Sequence, residues 1–149
     1  MRTPSFSSFA VYLVVVAAAL TSLVRNEVFQ GTTNVINWDG YGYYAYLPGV
    51  FVYGDISNYD FAEAHFDRYE ISSDIYQLME TEAGGRFPIY NIGLSVVWAP
   101  AFLVTHAVVS TTGIAPADGM SYPYQLAVVL VSLLAFWLGL WYLKRLLSA

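Results

Sequence analysis

Asp39 is the side chain in this sequence that is best placed for acid–base chemistry. It lies between Trp38 and Gly40, and a stretch rich in tyrosine follows it. A carboxylate beside an aromatic wall can accept a proton from the hydroxyl group of a second molecule. A helix that begins at this point would also place its N-terminal dipole next to the carboxylate. The competing interpretation is that Asp39 only caps that helix, which is worth about 1 kcal/mol.

Arg86 is the candidate for binding an anion, because it is the cation that precedes the second long apolar run. Its guanidinium could hold a phosphate, or it could anchor the chain at a membrane interface with its stem in the apolar layer. Glu63, His65 and Asp67 alternate and could be drawn as metal ligands. One histidine flanked by surface acids is more typical of a solvated face, so the sequence assigns no metal site.

The composition is that of a membrane protein. The chain has 149 residues, of which 57% are hydrophobic and 11% charged. Ordinary soluble domains are about 25% charged, and a soluble fold of this composition would expose large apolar patches. A net charge of −5 argues against nucleic acid as a partner, which requires clustered Lys and Arg. The absence of cysteine excludes disulfides and thiol catalysis.

Three long apolar runs interrupt the charged part of the sequence, at 6–24, 89–109 and 124–143. Each is close to the roughly 20 residues that a helix needs to cross a bilayer. Since the backbone in lipid must satisfy its own hydrogen bonds, we predict three transmembrane helices and an all-α membrane protein, with 1–149 as one embedded unit. The alternative for the first run is a cleavable signal peptide, but the run is longer than usual for one.

The polar segment 25–88 contains every acidic residue except Asp118. A helix over 40–47 would place Tyr43, Tyr46 and Leu47 on one face, and tyrosine suits the headgroup layer of a membrane. We therefore predict a juxtamembrane helix lying on the bilayer here. Further along, Ile71, Ile75 and Leu78 or Met79 recur at helical spacing, which predicts a second helix that starts near Ser72 or Ser73 and ends at Gly84-Gly85.

The run WDGYGYYAYLP at 38–48 resembles the first-loop motif of bacterial multi-spanning membrane proteins of the glycosyltransferase-C type. FPIYNIG at 87–93, with WAPAF at 98–102, is similar to the start of their second span. ADGMSYPYQ at 117–125 is similar to the segment before their third span. The resemblance covers most of 34–145. It implies that this chain is the N-terminal portion of a longer protein, since family members have many more spans.

The resemblance implies a transferase that takes a sugar from a polyprenyl-phosphate donor at the outer face of the bacterial inner membrane. It implies that Asp39, on an extracytoplasmic segment 25–88, is the general base or orients the acceptor. The candidates for substrate binding are then Trp38, Gly40, Tyr43, Tyr44 and Arg86. Whether a divalent metal is required is not decided by the sequence. The charge pattern favours the opposite orientation, because Lys144 and Arg145 prefer the cytoplasm.

A non-enzymatic membrane scaffold or assembly subunit with three spans is the alternative function. That alternative predicts that Asp39 caps a helix and that no cavity lies beside it. The transferase interpretation instead predicts that Asp39 opens toward a cavity between the first two spans.

Overall fold

The computed structural model describes residues 12–13, 15–17, 19–21 and 34–147, and these are mostly helical. The helices are α1 (Asp39–Tyr44), α2 (Tyr46–Pro48), α3 (Phe61–Tyr69), α4 (Gly93–Thr112) and α5 (Tyr122–Leu147). A π-helical turn, π1, spans Gly49–Tyr53. Two strands, β1 (Leu78–Glu80) and β2 (Arg86–Pro88), pair as an antiparallel hairpin. The predicted first span, 6–24, lies mostly outside the described residues.

The second and third predicted spans are confirmed as helices that are long and apolar enough to cross a membrane. They correspond to α4 and α5, and α4 continues through Pro100. The two helices run antiparallel, because Trp98 Nε1 donates to Ser132 Oγ (3.1 Å) and His106 Nδ1 lies 2.7 Å from Tyr124 Oη. Most side chains of α5 after Leu133 are exposed, unlike those of a core helix in a soluble protein.

The prediction of a helix over the second half of the polar segment is wrong in position. The helix is α3, about ten residues earlier, and the hairpin of β1 and β2 occupies part of the predicted range. The reason is the turn: Gly84 adopts φ +84°, and the Thr81 amide donates to the Gly85 carbonyl at 2.7 Å, which reverses the chain. The fold is therefore not entirely α.

The tyrosine face predicted to lie on the bilayer is partly covered by protein, since Tyr43 and Tyr46 are half-buried. Leu47 is buried, and the Tyr46 hydroxyl donates to the Tyr90 carbonyl at 2.7 Å. Tyr41 and Tyr44 are fully buried. The tyrosines thus help to join the polar segment to α4: their rings fill space, and the hydroxyls of Tyr44 and Tyr46 donate to backbone carbonyls while that of Tyr41 lies 3.2 Å from His65 Nδ1.

Candidate functional site

Asp39 is held by two tyrosines that approach from distant parts of the sequence. The hydroxyls of Tyr76 and Tyr90 donate to Asp39 Oδ1 at 2.7 and 2.6 Å. In the described part of the chain, no donor reaches the second oxygen, Oδ2. Since an ionised carboxylate offers lone pairs on both oxygens, Oδ2 remains available to a hydroxyl group from outside.

Asp39 is the first residue of α1, yet it does not cap the helix. The N-cap position is Trp38, and no side chain caps the helix by a hydrogen bond. The interpretation of Asp39 as a helix cap is therefore wrong. Its carboxylate faces hydroxyl groups instead of the amides at the start of the helix.

The surroundings of Asp39 keep its carboxylate ionised. The hydrogen bonds from Tyr90 and Tyr76 lower the pKa of Asp39 below its usual value, because they favour the charged form. The same contacts raise the pKa of Tyr76, and they raise that of Tyr90 to about 12. At neutral pH the site is one carboxylate with two protonated tyrosine hydroxyls on one of its oxygens.

Replacing Tyr90 by Phe is expected to raise the pKa of Asp39 toward its ordinary value, because the largest cause of its lowering is removed. Because the pKa of Asp39 is lowered in the folded protein, its hydrogen-bonded carboxylate stabilises the fold at pH values above the pKa of Asp39 in the unfolded chain. That contribution is lost as the pH falls through the folded pKa. The loss should therefore occur at higher pH in Tyr90→Phe. Carboxyl ¹³C titration by NMR measures the pKa, with the Asp39 signal assigned by its absence in Asp39→Asn.

Tyr53→Phe is the matched control, since the Tyr53 hydroxyl contacts the Asp118 carbonyl (3.2 Å) and not Asp39. An unchanged pKa of Asp39 in Tyr90→Phe would mean that the Tyr90 hydroxyl does not hold the carboxylate in solution.

Trp38 presents its ring to solvent from a strained backbone. The residue is 56% exposed and has φ +47°, a region that residues with a Cβ rarely adopt. Three hydrogen bonds hold its backbone. The Trp38 amide donates to the Ile71 carbonyl (3.2 Å), and the Trp38 carbonyl accepts from Gln77 Nε2 and from the Tyr41 amide (both 3.1 Å). Strain that the surroundings enforce in this way is common at functional sites.

The other predicted binding residues differ in their surroundings. Gly40 has open space where a Cβ would lie, and the Tyr43 ring packs on the Tyr90 ring with centroids 4.6 Å apart. Tyr44 is fully buried, and its hydroxyl donates to the Gly119 carbonyl at 2.5 Å. Arg86 donates to Glu63 at 3.0 Å, an ion pair that the sequence did not indicate.

An apolar cavity of about 320 Å³ lies beside Gly40. Gly40, the neighbour of Asp39, contributes to its wall together with Trp98 of α4. The remaining wall residues come from the chain before α1 and from α5: Val35, Ile36, Val128, Val129, Ser132 and Leu133. The cavity lies beside α4 and α5, whereas the first predicted span, against which it was expected, is mostly outside the described residues.

The sequence analysis missed a second polar cluster, centred on Asp118. Its Oδ1 accepts the amides of Met120 and Ser121, each at 2.9 Å, and its Oδ2 accepts the Tyr69 hydroxyl. The backbone carbonyl of Asp118 lies 3.0 Å from Nε2 of His65, whose pKa is lowered by burial. His65 therefore fastens α3 to the chain between α4 and α5.

The sequence analysis considered Glu63, His65 and Asp67 as possible metal ligands. The structure does not bring these three side chains together. His65 is buried, whereas both acids are exposed. Among the described residues, no group of three His, Cys, Asp or Glu side chains is arranged to hold a metal ion.

No protein-family model matches the sequence, and no curated protein or solved structure is significantly similar to the chain. The chemistry of the site therefore has to be inferred from its own geometry.

Proposed function

We propose that this chain is a membrane glycosyltransferase-like protein that transfers a sugar from a polyprenyl-phosphate donor to a hydroxyl acceptor. One observation carries the proposal. The exposed carboxylate of Asp39 is fixed through Oδ1 by Tyr76 and Tyr90, while Oδ2 has no donor within the described residues. A carboxylate that is oriented on one oxygen and open on the other can orient an incoming hydroxyl.

In the proposed reaction, the acceptor hydroxyl donates its hydrogen bond to Asp39 Oδ2. The acceptor oxygen forms a bond to the anomeric carbon while the bond from that carbon to the phosphate oxygen breaks. The electron pair of the broken bond leaves with the polyprenyl phosphate, and the hydroxyl proton passes to Asp39. Because the pKa of Asp39 is low, the carboxylate stabilises the positive charge that develops on the acceptor oxygen and takes the proton late.

Aromatic rings beside the carboxylate supply a surface for the sugar. Trp38, the neighbour of Asp39 in the chain, is exposed, and so is Tyr76, whose hydroxyl contacts the Asp39 carboxylate. Large rigid rings bind the apolar faces of sugars with little loss of side-chain entropy. Tyr43 supports this surface from behind through its contact with Tyr90.

The donor has separate requirements for its lipid chain and its phosphate. The apolar cavity beside Gly40 suits part of a hydrocarbon chain. Arg86 remains the candidate for the phosphate, which would have to replace Glu63 as its partner. The side chain of Glu63 is mostly exposed and can turn into solvent without leaving a buried charge unpaired.

The proposal places 25–88 on the outer face of the bacterial inner membrane, with the lipid-linked donor and the remainder of a longer parent chain as partners. Its test is sugar transfer in proteoliposomes that contain radiolabelled polyprenyl-phosphate sugars and a panel of sugar acceptors. Transfer that depends on this chain supports the proposal. No transfer from any donor, with the chain correctly folded, contradicts it for this chain.

Trp38 offers a second test, because its ring is expected to affect sugar binding whereas its backbone conformation affects stability. Both Trp38→Gly and Trp38→Ala remove the ring, so both should raise KM for the sugar substrate about tenfold. Glycine also relieves the positive φ, so Trp38→Gly should be more stable than Trp38→Ala by about 1 kcal/mol. Thermal unfolding in detergent measures the stability, and initial rates measure KM.

An unchanged KM in both variants would remove Trp38 from the binding surface. Equal stability of the two variants would show that the strain at this residue is absent in solution.

A further inference from the structure

The π-helical turn π1 carries two apolar side chains that are partly exposed. Val50 is 49% exposed and Phe51 is 42% exposed. They belong to a stretch without charged residues that runs from Gly40 to Gly54. Tyr41 and Tyr44 of this stretch are buried and Tyr43 and Tyr46 are half-buried, so its most exposed apolar side chains belong to π1.

Phe51 lies against the middle of α4. Its ring centroid is 6.1 Å from that of Phe102, which is buried near the centre of Gly93–Thr112. The inner face of α4 is buried against the tyrosine core and α5, whereas its outer face is exposed and apolar. The outer face includes Val96, Val97, Leu103, Val104 and Val108. Phe51 therefore packs on the buried face of α4 and leaves part of its own side chain exposed beside that helix.

We propose that Val50 and Phe51 contact lipid acyl chains together with the outer face of α4, so that π1 is a third membrane contact beside the two long helices. Lipid is the favoured occupant because Phe51 packs on α4, which has the length and composition of a membrane span. No charged residue lies between Arg86 and Asp118, so nothing on α4 offers a charged partner to a protein surface.

Two amides at the end of π1 are satisfied internally, as hydrocarbon requires of backbone groups. The amides of Gly54 and Asp55 both donate to the Gly49 carbonyl. An apolar groove of about 350 Å³ lies between α4 and α5. Tyr53 holds the opposite side of the turn to the polar part of the protein, since its ring stacks on Phe61 with centroids 4.4 Å apart.

Spin labelling tests the proposal directly, because the chain contains no cysteine and each labelled position is introduced alone. Phe51→Cys carries a nitroxide in liposomes of phosphatidylcholine and phosphatidylglycerol. Val104→Cys, at a residue 66% exposed on α4, is the lipid reference, and Met79→Cys, at a residue 58% exposed on β1, is the water reference. Oxygen collides preferentially with labels in lipid, and a nickel chelate with labels in water.

We expect the label at 51 to behave like the label at 104, with the ratio of oxygen to nickel collisions several times higher than at 79. A ratio at 51 equal to that at 79 would place the turn in water and overturn the proposal. Low access of both reagents at 51 would show that protein, such as a second copy, covers the turn, which also overturns it. Val50→Cys repeats the test should the label at 51 disturb the fold.

Discussion

Asp39→Asn is expected to lower the rate of sugar transfer by about 10²–10⁴-fold while leaving the fold unchanged, which is the contribution of a positioned general base. Asparagine has the same shape, and its Oδ1 can still accept the hydroxyls of Tyr76 and Tyr90. The change falls on the other atom of the side chain. Oδ2, which accepts the hydroxyl of the acceptor in the proposed reaction, becomes an NH₂ group that can only donate.

The measurement is transfer of a radiolabelled sugar from its polyprenyl-phosphate donor in proteoliposomes, with circular dichroism and size exclusion in detergent as checks of the fold. Asp67→Asn is the matched control, because Asp67 is exposed on α3 and has no contact with Asp39. Asp67→Asn should keep the activity of the natural chain. Activity of Asp39→Asn within twofold of that level would exclude Asp39 as the base.

The two long helices could be predicted from the sequence because their signal is local. An uncharged apolar run of about 20 residues specifies a helix in lipid without reference to the rest of the chain. The start of α4 was less accurate, at 89 instead of Gly93. The reason is that the chain before it is used by the hairpin, where the Ile89 amide donates to the Gln77 carbonyl at 3.0 Å.

The contacts that make the site could not be predicted, because they join residues far apart in the sequence. Asp39 was singled out from the sequence as a candidate base, but Tyr76 and Tyr90, which hold its carboxylate, are 37 and 51 residues away. Tyrosine spacing along a helix shows which side chains share a face. It does not show whether lipid, water or another segment covers that face, and here the protein covers part of the tyrosine face.

The misplaced helix has a similar cause. Ile71 and Leu78 are both buried, as their spacing suggested. However, Ile71 lies in an extended segment and Leu78 in a strand, and neither lies in a helix. In short segments, apolar spacing alone does not separate a helix from a strand that packs beside other elements. The two glycines at 84–85, interpreted as the end of a helix, close the hairpin instead.

Tyr44→Ala is expected to destabilise the fold by about 3–5 kcal/mol, the range for truncating a large buried aromatic residue. Tyr44 is fully buried, and its ring lies between Trp98 and Phe102 of α4, with centroids 6.3 and 5.9 Å away. Its removal would leave a cavity where the polar segment meets α4. Tyr44→Phe keeps the ring but leaves the Gly119 carbonyl unpaired, which should cost about 1–3 kcal/mol.

Tyr43→Phe is the matched control on the adjacent tyrosine, whose hydroxyl has no hydrogen-bond partner among residues 34–147. Urea unfolding in detergent, followed by circular dichroism, should give the same stability for Tyr43→Phe as for the natural chain and a lower one for Tyr44→Phe. The comparison separates a core residue from a ligand-binding one. If Tyr44→Phe kept full stability but raised KM for the sugar, Tyr44 would face the substrate, as its position beside Asp39 in the sequence suggests. Because the Tyr44 hydroxyl is instead committed to a buried carbonyl, we expect the loss of stability.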